Sequence, residues 1–187
     1  MKKIILASAS PRRQYLLKEL GIDFTVEVKA VDEVYPKELK REQIPLYLSQ
    51  LKAAQFKDAV DENTIVITAD TIVWINEKEI GKPRDHAHAV EMLNMLSGNM
   101  HEVVTAVTLT SKNKSHSFYV VTKVYFKALT EKEISFYLEN YKPFDKAGSY
   151  GIQEWIGYIG IEKIEGSYFN VMGLPLKELY EELGKFA

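Results

Sequence analysis

A hydroxyl-rich run followed by two arginines lies near the start of the chain, at residues 8–13. Pro11 suits the first position of a helix, and the serine before it can cap that helix. The free amides of a helix N-terminus, the Ser8 hydroxyl and the guanidinium groups of Arg12 and Arg13 are groups that hold phosphate oxygens. The run therefore predicts an anion site, although a capped helix with two solvated arginines fits the same residues. Because neither a Walker motif nor a strand followed by Gly-x-Gly-x-x-Gly is present, P-loop and Rossmann sites lose support.

Two carboxylates are candidates for acid–base or metal chemistry. Asp70 follows the apolar, β-branched run 64–68, where an unpaired carboxylate is costly unless it meets a cation, a metal or a proton. It is our leading candidate for a catalytic carboxylate, and the alternative is an aspartate that caps the next turn. Glu33 lies in a polar loop beside Asp32 and is weaker on its own, because acidic loop residues are usually solvated.

Three lysines and one glutamine complete the set of candidates. Lys52 lies in the middle of a predicted helix, and Lys82 lies in a Gly-Lys-Pro turn. Each is placed either to neutralise phosphate charge or to remain on the solvated surface. Lys146 opens a run rich in glycine, and that run ends at Gln153. The Gln153 amide has the paired donor and acceptor needed to read the edge of a base.

Several other kinds of chemistry are excluded by what the sequence lacks. There is no cysteine, so disulfides, thiol nucleophiles and thiolate metal sites are excluded, and cytoplasm is the expected location. Of the four histidines, His86 and His88 are two positions apart on a predicted helix and point in different directions, while His101 and His116 are isolated. No Gly-x-Ser-x-Gly elbow supports a serine hydrolase.

The composition is that of an ordinary globular protein. The chain has 187 residues, 46% hydrophobic and 27% charged, which excludes disorder and collagen-like repeats and fits one domain over residues 1–187. The 24 basic and 26 acidic residues give a net charge of −2, which opposes general nucleic-acid binding. We expect no export signal and no membrane-spanning helix, because charges interrupt every apolar segment.

The hydrophobic pattern predicts strands interleaved with helices. Strands are predicted at residues 4–7, 25–29, 64–68, 72–75, 102–110, 117–126 and near 158–164. Helices are predicted at 11–20, 45–60, from 85 to before Gly98, from the capping box at Thr130 to about 141, and at 176–183. Residues 111–114 read as the turn of a long hairpin, and Asp70 is expected just past the carboxyl end of a central strand. This order indicates an α/β domain with a mixed sheet.

Together, seven segments resemble the motifs of the Maf family, the septum-formation-inhibitor proteins of bacteria and eukaryotes. These segments are spread over nearly the whole chain, at residues 8–13, 32–33, 52–53, 69–71, 81–83, 145–153 and 170–175. The resemblance implies a nucleoside triphosphate pyrophosphatase, which releases a nucleoside monophosphate and pyrophosphate. It also implies a fold similar to the inosine triphosphatase class: an elongated mixed β-sheet flanked by helices, two lobes around a cleft, and a homodimer.

The resemblance further implies roles for individual residues. Arg12, Thr71 and the run ending at Gln153 are similar to the branch that acts on dTTP and UTP rather than on 7-methyl-GTP. Asp70 is implied as the general base that orients water and helps to hold a divalent cation (Mg²⁺, Mn²⁺ or Co²⁺), with Glu33 as a metal ligand. The implied substrate-binding residues are Ser8, Arg12, Arg13, Lys52 and Lys82 for the triphosphate, and Thr71 and Gln153 for the base. Lys146 is also implied to bind substrate.

Two other classes of function remain open at this point. The same cleft could bind a nucleotide without turnover, in a regulator of cell division that contacts another protein. Alternatively, the two arginines at 12 and 13 could contact nucleic acid, although the net charge and the lack of a basic stripe oppose this.

Overall fold

The computed structural model describes residues 2–186, apart from the side chain of Ala59, and is built on one seven-stranded sheet. The strands are β1 (Lys3–Leu6), β2 (Phe24–Val26), β3 (Thr64–Ile75), β4 (Lys78–Ile80), β5 (Met100–Thr110), β6 (Ser115–Phe126) and β7 (Ile161–Glu165). Their order is β2-β1-β3-β5-β6-β7, and β4 pairs with β3. β1 is parallel to both β2 and β3, and all other pairs are antiparallel. The predicted α/β fold with a mixed sheet is confirmed.

Seven helices flank the sheet in the described part of the chain. They are α1 (Pro11–Glu19), α2 (Gln43–Ala54), α3 (His86–Leu96), α4 (Glu131–Tyr141), α5 (Trp155–Gly160), α6 (Tyr168–Met172) and α7 (Leu176–Phe186). No helix in residues 2–186 is both long and apolar enough to cross a membrane.

The two faces of the sheet pack against different helices, because successive side chains of a strand point to opposite faces. Ile72 and Trp74 of β3 pack with Leu48 of α2 in a smaller cluster. Val73 and Ile75 belong instead to the main core, which includes buried residues of α1, α3, α4 and α7. Thus α2 covers one face, and most of the other helices cover the opposite face.

The central strand β3 is longer than predicted, and this corrects the position expected for Asp70. Residues 64–68 and 72–75 are parts of one strand, because Ala69, Asp70 and Thr71 stay in register with β5. Asp70 therefore lies inside the strand, not beyond its carboxyl end. On the other edge of β3, β1 pairs only as far as Ile67, and β4 pairs only from Val73. Within the described chain this leaves residues 68–72 without a strand partner on that edge.

Other helix and strand boundaries also differ from the prediction. The helix predicted at 45–60 ends at Ala54 and is followed by a 3-10 turn at Lys57–Ala59, because Phe56 turns into a separate cluster beside β1 and β3. β2 ends at Val26 rather than at residue 29, because its partner β1 ends at Leu6.

The strand predicted near 158–164 was wrong over its first half, which belongs to α5. A Cβ on Gly157 would lie 1.9 Å from the Ile152 carbonyl oxygen, so the chain is pressed into a tight turn that overrides the β propensity of its residues. The short helix α6, capped by the Ser167 side chain, was not predicted. The hairpin of β5 and β6, the Ser10 cap and the Thr130 capping box are confirmed.

Candidate active site

A cleft of about 580 Å³ lies at the unpaired edge of β3, and this volume is in the range of nucleotide-sized pockets. The loop after β1 enters the cleft from one side, and the loop after β4 enters it from the other. Both strands end at the gap, the part of the β3 edge at residues 68–72 that has no strand partner in the described chain. All ten residues proposed from the sequence line this cleft: Ser8, Arg12, Arg13, Glu33, Lys52, Asp70, Thr71, Lys82, Lys146 and Gln153. The structure thus brings together residues that are up to 145 positions apart in sequence.

The centre of the cleft is a lysine held between two carboxylates. Lys52 of α2 lies on the face of β3 to which Asp70 points, with its Nζ 2.6 Å from Asp70 Oδ1. The same Nζ lies 2.9 Å from Glu33 Oε1. Asp70 is 8% exposed, whereas the Glu33 side chain is half exposed at the mouth of the cleft. One ammonium therefore compensates two negative charges.

The pKa values of the two carboxylates shift in opposite directions from their ordinary values. Burial raises the pKa of Asp70, and the positive charges of Lys52 and Arg13 oppose that rise. Burial also acts to raise the pKa of Glu33, but the hydrogen bond and charge of Lys52, together with Lys82, outweigh it and lower that pKa. Burial thus makes Asp70 more basic than an exposed aspartate, which suits a group that accepts a proton from water.

Arg13 connects α1 to the other face of β3. Its guanidinium donates to the Gly173 carbonyl at 2.8 Å, the Ala69 carbonyl at 2.9 Å and Thr71 Oγ1 at 2.9 Å. Burial lowers the pKa of Arg13, and the negative charge of Asp70 opposes that effect. Thr71 Oγ1 is also 2.9 Å from Thr105 Oγ1, so this hydroxyl already belongs to an internal network.

The phosphate-binding segment predicted at residues 8–13 has the expected local geometry. Ser10 caps α1 by accepting from the Arg13 amide. Ser8 is buried, and its Oγ accepts from the Ser10 amide at 3.3 Å. Arg12 extends from the first turn of α1 and pairs with Asp145 Oδ2 at 3.2 Å. The helix N-terminus, a hydroxyl and a guanidinium thus line the same side of the cleft.

The opposite end of the cleft contains Lys146 and Gln153. The Lys146 ammonium is buried between Asp145 Oδ1 at 2.8 Å and Glu154 Oε1 at 3.0 Å, so it already has two anionic partners. Gln153 Oε1 is buried and has no hydrogen-bond partner within residues 2–186. A buried acceptor without a partner is costly, so a hydrogen-bond donor that reached this oxygen would stabilise it.

Lys82 follows β4 and is exposed at the rim of the cleft. Its charge reaches Glu33, since it contributes to the lowered pKa of that carboxylate.

Sequence analysis missed one hydrogen bond that joins two segments lining the cleft. The Tyr35 hydroxyl donates to Glu79 of β4, and both residues line the cleft. Burial, followed by the carboxylate of Glu79, raises the pKa of Tyr35 to about 12. The bond joins the loop that carries Glu33 to the hairpin that precedes Lys82. No local pattern marks this pair, because the two residues are 44 positions apart.

The donor set at the centre of the cleft fits a divalent cation that shares its ligands with substrate. Residues 2–186 contain no cluster of three or more His, Cys, Asp or Glu side chains that could enclose a metal. Glu33 and Asp70 nevertheless converge on one position of positive charge, the Lys52 ammonium. Mg²⁺ is commonly bound by one or two carboxylates together with substrate phosphates and water. The two side chains meet that requirement.

The chain is similar to known proteins over nearly its whole length. A family model described as Maf-like protein matches residues 3–186. A protein of Christiangramia forsetii named dTTP/UTP pyrophosphatase is 56% identical, over 97% of this chain and 92% of its own length. A Bacteroides fragilis protein of the same name is 51% identical, over 97% of this chain and 94% of its own length. The structure of the Staphylococcus aureus Ham1 protein aligns with 97% of this chain and 100% of that chain, at 17% identity and a TM-score of 0.45.

Proposed function

We propose, from the premise that this chain belongs to the Maf-like protein family, that it hydrolyses dTTP and UTP to the nucleoside monophosphate and pyrophosphate. The observation that supports this most directly is the buried Asp70, paired with Lys52 and close to Glu33, in a cleft large enough for a nucleotide. Phosphoanhydride hydrolysis requires a positioned water and neutralised charge rather than covalent catalysis, and the cleft contains groups of both kinds.

In the proposed reaction, Asp70 accepts a proton from a water molecule. The water oxygen forms a bond to the α-phosphorus, and the bond from that phosphorus to the bridging oxygen breaks. Pyrophosphate leaves with the bonding electrons, and the monophosphate carries the new oxygen. The raised pKa of Asp70 favours this role, because it makes the carboxylate a better base than an exposed aspartate.

Cations around Asp70 would hold the triphosphate. Arg12, Lys52 and Lys82 project into the cleft from three different segments, so they can contact a chain of phosphates at several oxygens. Ser8, Arg13 and Lys146 complete the proposed phosphate-binding set. Thr71 and Gln153 are assigned to base selection, with Gln153 carrying the unpaired amide atom.

Glu33 and Asp70 would hold a divalent cation, which supplies charge neutralisation on the phosphates when it is bound. Lys52 would then release its carboxylate partners and become available to a phosphate oxygen. The homodimer, the cytoplasmic location and a link to cell division stay predictions.

A substrate screen tests the proposed function. Common and modified triphosphates are incubated with the protein and Mg²⁺, Mn²⁺ or Co²⁺, and both pyrophosphate and monophosphate are measured. We expect equal amounts of the two products, with dTTP and UTP as the preferred substrates. Nucleotide binding without hydrolysis under every metal would instead favour a non-catalytic regulator.

Glu33→Gln is expected to weaken metal activation more than nucleotide binding. The substitution keeps the size of the side chain but removes a charged oxygen that suits Mg²⁺ or Mn²⁺. We expect the metal concentration for half-maximal rate to rise by about 10- to 100-fold. Mn²⁺ titration followed by electron paramagnetic resonance, with a slowly hydrolysed nucleotide present, measures the affinity directly. An unchanged Mn²⁺ affinity would exclude Glu33 as a ligand.

Gln153→Ala is expected to change the ranking of substrates more than the maximal rate. The alanine removes the amide donor and acceptor but leaves the cations and Asp70 in place. We expect the preference for dTTP and UTP over other triphosphates, measured as a ratio of kcat/KM values, to fall by about tenfold. An equal loss for every nucleotide would argue against base recognition by this residue.

A further inference from the structure

Gln153 lies in a closely packed four-residue turn. It spans residues 151–154 and is closed by the Glu154 amide, which donates to the Gly151 carbonyl at 3.0 Å. A Cβ on Gly151 would lie 2.8 Å from Glu154 Cδ and 3.0 Å from Gln153 Nε2. Only glycine fits at this position without displacing the side chains that follow it. The turn is therefore closely packed on itself.

One hydroxyl group connects the two ends of this turn. Tyr137 of α4 is fully buried, and its OH accepts from the Gly151 amide at 3.0 Å while donating to the Glu154 carboxylate. The other oxygen of that carboxylate, Oε1, pairs with the Lys146 ammonium at 3.0 Å. Tyr137, Glu154 and Lys146 thus form a buried chain of bonds behind the turn.

Gln153 lies between the two residues that Tyr137 holds. Its side chain lines the cleft, and one atom of its amide is buried without a partner in the described chain. Since the backbone on both sides is held, the direction of the amide depends on the geometry of the turn. We propose that Tyr137 is a positioning residue for base selection, because its hydroxyl holds the 151–154 turn and so orients the Gln153 amide toward the nucleobase. This inference rests on the proposed function.

The physical reason is that an amide discriminates between bases only when its donor and acceptor are held in a fixed orientation. A rotated amide presents the opposite pattern and can bond to other base edges, so a loosened turn lowers the penalty for the wrong base. Burial, together with the neighbouring Glu154, raises the pKa of Tyr137, so its hydroxyl keeps its proton and remains a donor.

Tyr137→Phe tests the inference, because it removes the hydroxyl and keeps the ring that packs in the core. We measure kcat/KM of the full-length protein with dTTP, UTP, dCTP, dATP and dGTP, and inhibition by inorganic tripolyphosphate. The ratio of kcat/KM for dTTP to that for dCTP is expected to fall by about tenfold. Inhibition by tripolyphosphate, which has no base, is expected to stay at the wild-type level.

Thr108→Val is a matched control for the loss of a buried hydroxyl. The Thr108 hydroxyl lies 2.9 Å from both Ser49 Oγ and Ser117 Oγ, and among the described residues Thr108 is not one that lines the cleft. Each variant loses two hydrogen bonds of one hydroxyl group, so both are expected to be destabilised. Only Tyr137→Phe is expected to alter the ranking of bases and to speed hydrogen exchange of the Gly151 amide.

The outcomes separate this inference from the proposed function. A wild-type protein that hydrolyses no triphosphate would overturn both. A selective wild-type protein with an equally selective Tyr137→Phe variant would overturn the inference alone, as would an identical change of ranking in Thr108→Val. If Tyr137→Phe does not fold, Glu154→Leu removes the partner of the hydroxyl, and its base ranking is interpreted in the same way.

Discussion

Asp70→Asn is expected to lower the rate of pyrophosphate release from dTTP by about 10²- to 10⁴-fold. Asparagine keeps the shape of the side chain, and its oxygen can still accept from Lys52 at the 2.6 Å contact. What it loses is the basic oxygen that takes the proton from water. The measurement is kcat with saturating nucleotide under Mg²⁺ and Mn²⁺, with both products quantified.

Asp145→Asn provides the matched control for this experiment. Asp145 is also an aspartate of the cleft and pairs with the cations of Arg12 and Lys146, but its side chain is 61% exposed. Because exposed ion pairs contribute little, its substitution is expected to change kcat by less than about tenfold. A near-wild-type rate for Asp70→Asn, or equal losses in the two variants, would refute the assignment of Asp70 as the base.

Arg13→Lys is expected to lower the free energy of unfolding by about 2 to 4 kcal/mol. The guanidinium makes three hydrogen bonds of 2.8 to 2.9 Å, to two carbonyl oxygens and one hydroxyl. A single ammonium cannot span these three acceptors, so at least two of them lose a charged donor. Urea denaturation followed by circular dichroism measures the change, and the rate of dTTP hydrolysis is expected to fall as well.

Arg12→Lys is the appropriate comparison, since it makes the same substitution at the adjacent position. Arg12 pairs at 3.2 Å with the exposed Asp145 and makes a longer contact of 3.4 Å with the Met172 carbonyl. Its replacement is expected to change the free energy of unfolding by less than about 1 kcal/mol. Equal destabilisation by the two variants would show that the network around Arg13 contributes no special stability.

The types of residue in the site could be predicted from the sequence, but the hydrogen bonds and ion pairs between them could not. Ser10 before Pro11 is a local capping signal, so the start of α1 was predictable. Asp70 could be predicted as a candidate catalytic residue, because a carboxylate next to a buried strand needs a partner. That this partner is Lys52, 18 positions earlier, depends on α2 packing across β3, which no local pattern encodes.

Long-range contacts explain most of what the sequence analysis missed. The sequence analysis assigned no role to Tyr35 or Tyr137, because their hydrogen-bond partners Glu79 and Glu154 are distant in sequence. The strand expected near residue 158 failed for a different, local reason: Gly157 lies so close to the Ile152 carbonyl, five positions earlier, that no side chain fits there. In this segment, close packing overrides the β propensity of the residues.

The gap in the edge of β3 also bears on self-association. An open strand edge is a template to which a strand of another chain can add, the first step toward aggregation. Within this gap the Ala69 carbonyl accepts from the Arg13 guanidinium, so a side chain occupies an acceptor that a neighbouring strand would otherwise use. The arginine assigned to phosphate thereby also removes one main-chain acceptor from the open edge, which disfavours strand addition at the place where the sheet is open for a nucleotide.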